Sequence, residues 1–222
     1  LQPETALKKD QAWFAVEIPA GEARKFELRT ATGAVIMDRA LCPRSVLKRD
    51  ASGKPQATKA TVSSYPVNYG LVPGRFNVDG DPLDAVVFGG DGAYSEQVKT
   101  GKVTAQAVRV VGIMKMDECG EPPCKSSIQW EQDWKLIGVD VRDKKWEKLK
   151  DIRSDKKAMQ LLSDFFANYK GPKNGHPQTR VSGYLGPVDA LNYVKRFKEF
   201  TKRHRQGEVQ ACQSLYRQTL GK

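Results

Sequence analysis

The sequence predicts an α+β protein in which strands fill the first two-thirds of the chain and helices the last third. Three observations carry this reading. Apolar residues fall at every second position in short stretches up to about residue 141, Gly and Pro punctuate those stretches, and after Ser154 the apolar spacing changes to three and four.

Phe14, Val16 and Ile18 alternate with Ala15 and Glu17, which predicts a strand ending at Pro19. Lys25-Phe26-Glu27-Leu28 alternates again, so Lys25 and Glu27 should project from one face. Ala34–Asp38, Ala85–Phe88, Val103–Met114 and Trp134–Val141 add strands rich in Val and Ile. Strands this closely spaced, joined by Gly and Pro, point to a barrel or a sandwich. Ser154 is placed to cap a helix whose apolar positions Ala158, Leu161, Leu162, Phe165, Phe166 and Tyr169 form one stripe, with Lys170 at the helix end. A second helix opens at Pro187, a favoured first position, and runs through Leu191, Val194 and Phe197. Asp189 near its start and Arg203 to Arg205 near its end complement the helix dipole. Gly207 breaks it, and Glu208–Thr219 can form a third, short helix.

The chain of 222 residues is long enough for one sizeable core and contains no apolar run near the roughly 18 residues that span a bilayer. It reads as soluble, without a membrane partner. No internal repeat or clear linker divides it, so one domain over residues 1–222 is expected. The polar stretches 44–61 and 120–132 read as inserts, and the part after Arg203 as a C-terminal helical extension. The net charge of +11 fits a solvated basic surface, an anionic surface or nucleic acid as partner, or an anionic small substrate. Cys42, Cys119, Cys124 and Cys212 make an even count, and the chain opens on Leu1. Both features fit an exported protein, periplasmic or secreted, slightly better than a cytoplasmic one with free thiols. Cys119 and Cys124 could close a small loop; whether they do, and whether Cys42 and Cys212 pair, stays open. The cysteines lack the paired spacing of a zinc site.

The densest chemical signal is Asp79-Gly80-Asp81-Pro82-Leu83-Asp84, three carboxylates within six residues. Like charges so close raise one another's pKa, and a divalent cation with a taste for hard oxygen ligands removes the conflict. A calcium EF-hand loop is excluded in detail, because Asp84 stands at the sixth position and Gly90 at the twelfth. Upstream, Tyr65-Pro66-Val67-Asn68-Tyr69-Gly70 brings two phenols towards the acidic turn. Downstream, a strand ends in Lys115-Met116-Asp117-Glu118, and Asp133 and Lys135 should face the same way on the next strand. Gly101-Lys102 and Gly89-Gly90-Asp91-Gly92 lack phosphate-loop and dinucleotide spacing.

Taken in order, these pieces resemble the soluble family I inorganic pyrophosphatases. The match runs from about Trp13 to Tyr193 through Glu17-Ile-Pro-Ala20, Lys25-Phe-Glu27, Asp38-Arg39, the Tyr65–Gly70 and Asp79–Asp84 segments, Met116-Asp-Glu118, Asp133-Trp-Lys135 and Phe165-Phe-Ala-Asn-Tyr169-Lys170. The resemblance implies an OB-like five-stranded β-barrel with flanking α-helices, pyrophosphate as substrate, Mg²⁺ as cofactor (several ions, with Mn²⁺, Zn²⁺ or Co²⁺ as substitutes) and a homo-oligomer. By the same resemblance Asp79, Asp84 and Asp133 hold a first metal, with Asp84 shared by a second. Asp117 and Asp133 serve a metal arriving with substrate, Glu17 acts through metal-bound water, and Asp81 is the general base. Lys25, Arg39, Lys135, Lys170, Tyr69 and Tyr169 form the phosphate-binding wall. Glu27, Tyr65 and Glu118 support it, and Tyr65 reads equally well as a packed core tyrosine. Glu121 competes with Asp133 for its role, because the stretch between Glu118 and Asp133 is longer than in compact bacterial members. Two rivals remain. A single-strand-binding barrel would need aromatics interleaved with basic residues, whereas here tyrosines group with carboxylates. A metal-binding pseudoenzyme would lack charged residues that are all in place.

Overall fold

The computed structural model describes residues 6–29, 34–40, 47–49, 55–57, 64–76 and 81–205, with side chains described for 6–28, 64–75 and 81–196. In chain order the strands are β1 (Gln11–Ile18), β2 (Arg24–Arg29), β3 (Ala34–Ala40), β4 (Leu47–Arg49), β5 (Pro55–Ala57), β6 (Asn68–Phe76), β7 (Pro82–Phe88) and β8 (Gln106–Glu118). They continue with β9 (Glu131–Gln132), β10 (Lys135–Asp140), β11 (Pro172–Lys173), β12 (His176–Pro177) and β13 (Thr179–Leu185). The helices are α1 (Asp91–Thr100), α2 (Lys156–Phe166) and α3 (Pro187–Arg205).

Strands β1, β6, β7, β10 and β8 pair in that order, and β8 returns to β1, closing a five-stranded barrel flanked by the helices. The barrel expected from the sequence is therefore present. β7 and β10 run parallel and the other barrel pairs antiparallel. β10 lies between β7 and β8 and is buried along its length, as its Leu136-Ile137-Gly138-Val139 run requires of a central strand. Gly70 pairs with Val16, and a Cβ there would lie 2.1 Å from the carbonyl oxygen of Ala15, so the two strands approach this closely only over a glycine.

Alternation along the strands divides the core in two. Leu83, Ala85 and Val87 of β7 join a cluster that includes Phe14, Leu136, Tyr94 of α1 and Ala190 and Tyr193 of α3. Val86 and Phe88 join the other, with Ile137, Met114, Met116 and the α2 side chains Ala158, Leu162, Phe165 and Phe166.

Several boundaries differ from the sequence reading. Helix α2 is capped by Asp155, whose carboxylate accepts from the Ala158 N–H, while Ser154 ends a preceding 3-10 turn. Leu161 is 45% exposed, so the apolar stripe is narrower than its spacing implied. Tyr169 lies past the end of α2 and still packs on Phe165 and Phe166. β8 starts at Gln106 and continues through Glu118, because β13 and β9 pair with its far end; Asp117 and Glu118 are strand residues. β10 is shorter than Trp134–Val141 at both ends. Besides the short strands β4, β5, β9, β11 and β12, the elements not anticipated are β6, whose pattern is interrupted by Pro73 and Gly74; β13, whose pattern breaks at Ser182-Gly183; and α1. The last is polar, has glycines with positive φ at both ends and buries only Tyr94, edge-on against Phe14 at 5.4 Å.

Within the expected insert 44–61, β4 and β5 pair antiparallel. In the insert 120–132, Cys124 is disulfide-bonded to Cys119, a 3-10 turn follows at Ser127–Gln129, and β9 then rejoins β8. Asp79, Cys42, Cys212, Gly207 and the expected helix Glu208–Thr219 lie outside the described residues. No described helix is long and apolar enough to cross a membrane.

Candidate active site

The site is built around a buried ammonium group. Lys135, the first residue of β10, is 1% exposed, and a long amine survives such burial only with close counter-charges. It finds two. Nζ donates to Asp84 on the adjoining strand β7 and, at 2.6 Å, to Asp133 Oδ1 just ahead of its own strand. The parallel register, Leu136 beside Ala85, sets Lys135 next to Asp84. Desolvation opposes the charge, but the two carboxylates outweigh it and hold the lysine pKa well above its ordinary value. Two carboxylates against one ammonium leave an excess negative charge. The Asp84 carboxyl is accordingly pushed above the usual range, first by burial and further by Asp133, with Lys135 and a hydrogen bond from Tyr69 acting against the shift.

Glu17 stands near the end of β1 and is electrostatically coupled to Asp84. Its Oε1 accepts the Leu28 N–H at 2.8 Å, which ties it to β2. Burial is the main force raising its carboxyl to about 7; Asp84 and Glu27 add to this, while the Leu28 N–H and Lys25 oppose it. Lys25 and Glu27 do share a face of β2, with Nζ 2.9 Å from Oε1, and they flank Glu17. The backbone of Arg39 pairs with that of Lys25 across β2 and β3; its side chain lies outside the described set.

Phenols cover the other side. Tyr69 sits in β6 beneath the Lys135 ammonium, 5.8 Å from ring centre to Nζ. Burial first, then Asp84, pushes its hydroxyl well above the ordinary pKa. Tyr169 is raised as well, by burial first and by Asp133 and Glu118, with Lys135 pulling down. Tyr65 is buried, with ring centres 5.5 Å from Tyr69 and 4.8 Å from Phe165. Lys170 pairs with Glu118, and Asp117 accepts from Arg180 Nε at 2.9 Å. Asp81 is exposed and immediately precedes β7. Glu121, the competitor of Asp133, instead pairs with Lys173 at 2.8 Å.

The contacts and couplings thus bring Glu17, Lys25, Glu27, Tyr65, Tyr69, Asp84, Glu118, Asp133, Lys135, Tyr169 and Lys170 into one network. Asp117 adjoins it through Glu118 and β8. Among the described residues, no three side chains of metal-binding type converge into a complete ligand set. The donor chemistry nevertheless fits a hard divalent cation: the available ligands are carboxylate oxygens, and Asp84 and Asp133 outnumber the one ammonium group they share. Two participants escaped the sequence reading, Arg180 and the Leu28 N–H. Both owe their place to pairing between distant strands, and no local pattern marks either.

The inorganic pyrophosphatase family profile matches residues 14–202. Over 181 residues the chain is 32% identical to a soluble inorganic pyrophosphatase of Oryza sativa subsp. indica, covering 81% of this chain and 67% of the relative. It is 27% identical over 195 residues to an inorganic pyrophosphatase of Picrophilus torridus, covering 87% and 89%. Among solved structures, the inorganic pyrophosphatase of Helicobacter pylori superposes with a TM-score of 0.66 at 22% identity, covering 91% of this chain and 99% of the other. The enzyme of Thermus thermophilus gives the same TM-score at 24% identity, with 90% and 97% covered.

Proposed function

The chain belongs to the inorganic pyrophosphatase family, hydrolases of inorganic pyrophosphate, and we propose that it works on that substrate with magnesium through the groups gathered around Lys135. The observation that carries this reading is the intermixing of carboxylates, ammonium groups and protonated phenols in one network. A purely cationic pocket would suffice to hold an anion. Carboxylates interleaved with the cations make sense when further positive charge arrives with the substrate.

Glu17, Asp84, Asp117 and Asp133, with Asp79, would hold magnesium. When bound, magnesium lowers the pKa of water and neutralises phosphate charge. The protein's own groups divide the remaining work. Asp81, open to solvent ahead of β7, takes the proton of the attacking water. Lys25, Arg39, Lys135 and Lys170 stabilise negative charge on the attacked and departing phosphates, which is the dominant task in phosphoryl transfer. Tyr69 and Tyr169 stay protonated at any physiological pH, because burial and neighbouring carboxylates raise their pKa. Each therefore keeps one O–H to donate: Tyr169 to a phosphate oxygen, and Tyr69, whose proton is given to Asp84 in the free site, to phosphate once it turns from that carboxylate. Glu27 and Glu118 hold the ammonium groups of Lys25 and Lys170 in place.

Phosphate release from pyrophosphate, followed with Mg²⁺ and then with excess chelator, tests the proposal. Rapid release that stops with chelator is expected. A folded protein that releases no phosphate with Mg²⁺, Mn²⁺, Zn²⁺ or Co²⁺ would overturn it.

A further inference from the structure

The insert between Glu118 and Asp133 packs Trp130 against an arginine that the reaction above does not use. Arg180 of β13 stands directly opposite Asp117 in the strand register, and its Nε–H donates to Asp117 Oδ2 at 2.9 Å. The other Asp117 oxygen has no partner among the described residues. The arginine side chain is 45% exposed, and a solvent-facing pair of this kind contributes little by itself. Here the guanidinium is clamped on its other side: its carbon lies 4.3 Å from the ring centre of Trp130. Trp130 is fixed in turn, because its indole N–H donates to the Cys124 carbonyl at 3.2 Å. Cys124 is bonded to Cys119, which is buried beside Glu118 and donates its backbone N–H to the Gln178 carbonyl at 2.8 Å. Disulfide, indole, guanidinium and carboxylate form a continuous support that ends on one oxygen of Asp117.

We propose that Arg180, held flat by Trp130, is a positioning residue that orients Asp117 for a divalent cation, fixing Oδ2 so that Oδ1 is presented to the metal. The proposal rests on the reading of Asp117 as a metal ligand. Two effects of opposite sign compete. A guanidinium beside a carboxylate repels an incoming cation, so its removal should tighten binding on Coulombic grounds. A hydrogen bond from outside the ligand shell fixes the carboxylate, and loss of such partners typically weakens metal binding about 10–100-fold. Water reaches nearly half of the Arg180 side chain and screens its charge, so orientation wins.

The test titrates Mg²⁺ calorimetrically into the chelator-stripped 222-residue chain saturated with methylenediphosphonate, a non-hydrolysable pyrophosphate analogue. Arg180→Met should weaken Mg²⁺ binding about 10-fold or more. Arg180→Lys should recover only part of the loss, since an ammonium offers neither the planar stack nor the fixed N–H. Trp130→Ala should act in the same direction and Trp130→Phe less so; circular dichroism and thermal midpoints establish that each variant is folded. Asp117→Asn is the reference. If it weakens Mg²⁺ binding while Arg180→Met leaves it unchanged or tighter, the positioning role is overturned and Asp117 remains a ligand. If Asp117→Asn leaves Mg²⁺ affinity unaltered, Asp117 is no ligand and the role of Arg180 falls with it.

Discussion

Lys135→Met removes the ammonium group at the centre of the site while keeping most of the stem's volume. The lysine is 1% exposed, and its partners Asp84 and Asp133 are 25% and 28% exposed. Removing one member of a fully buried ion pair costs about 3–5 kcal/mol, because the charge left behind has lost both water and partner. Both carboxylates here keep some contact with solvent, which lowers the expected loss to about 2–3 kcal/mol. For a chain of this size that corresponds to a fall of roughly 5–10 °C in melting temperature. The condition matters as much as the number. In chelator the full loss is expected. In millimolar Mg²⁺ the gap to wild type should narrow, because a cation that binds only the native state stabilises it by mass action and replaces the missing charge. Scanning calorimetry with EDTA and with Mg²⁺ measures both. A variant that melts with wild type in EDTA, or loses the same amount in both buffers, would refute the idea that Lys135 balances charge where a metal can.

Asp81→Asn should lower phosphate release by about 10²–10⁴-fold at saturating Mg²⁺, the usual range for a lost general base; a near-wild-type rate removes Asp81 from that role. Glu17 gives a pH signature. Its carboxyl rises from 4.5 to about 7 on folding, so between those values the native state holds a proton that the unfolded chain releases. The contribution of Glu17 to stability in chelator is fully present below about 4.5 and is lost as pH rises through about 7. Glu17→Gln should remove that decline, gaining roughly 1–3 kcal/mol on wild type between pH 5 and pH 8. Melting curves of the two proteins that run parallel across this range would contradict the assignment.

The sequence was most informative where chemistry is local. Tyr69, Asp84, Asp133 and Lys135 were singled out by type and neighbourhood, Glu17, Lys25 and Tyr169 only through the family resemblance, and the fold brings all of them into one network. Alternation put Lys25 and Glu27 on a common face, where they pair. The less legible features depend on partners far away in the chain. Arg180 and Asp117 are 63 residues apart and meet only through the β13–β8 register, while β13 itself is disguised by Ser182 and Gly183. α1 presents almost no apolar stripe, since it buries only Tyr94, and periodicity has nothing to detect. The choice between Ser154 and Asp155 as helix cap turned on a single residue, the scale at which capping preferences do not discriminate.

The short return strand β9 has a consequence for how such a chain tolerates change. Gln132 pairs with Asp117 and Glu131 with Glu118, so the segment leaving β8 is caught again by the residues it left. Whatever is inserted between those contacts hangs from a closed clasp. Its length can grow or shrink while the separation of Asp117 and Asp133 stays set by hydrogen bonds within the sheet. Closing a longer loop costs only logarithmically more, about 0.6 kcal/mol per doubling. Residue counting between functional positions is therefore a poor ruler in this part of the chain, and strand pairing is a good one. A segment anchored in this way can acquire contacts that bear on the chemistry beside it, as Trp130 does on Arg180, without shifting the strands that carry that chemistry.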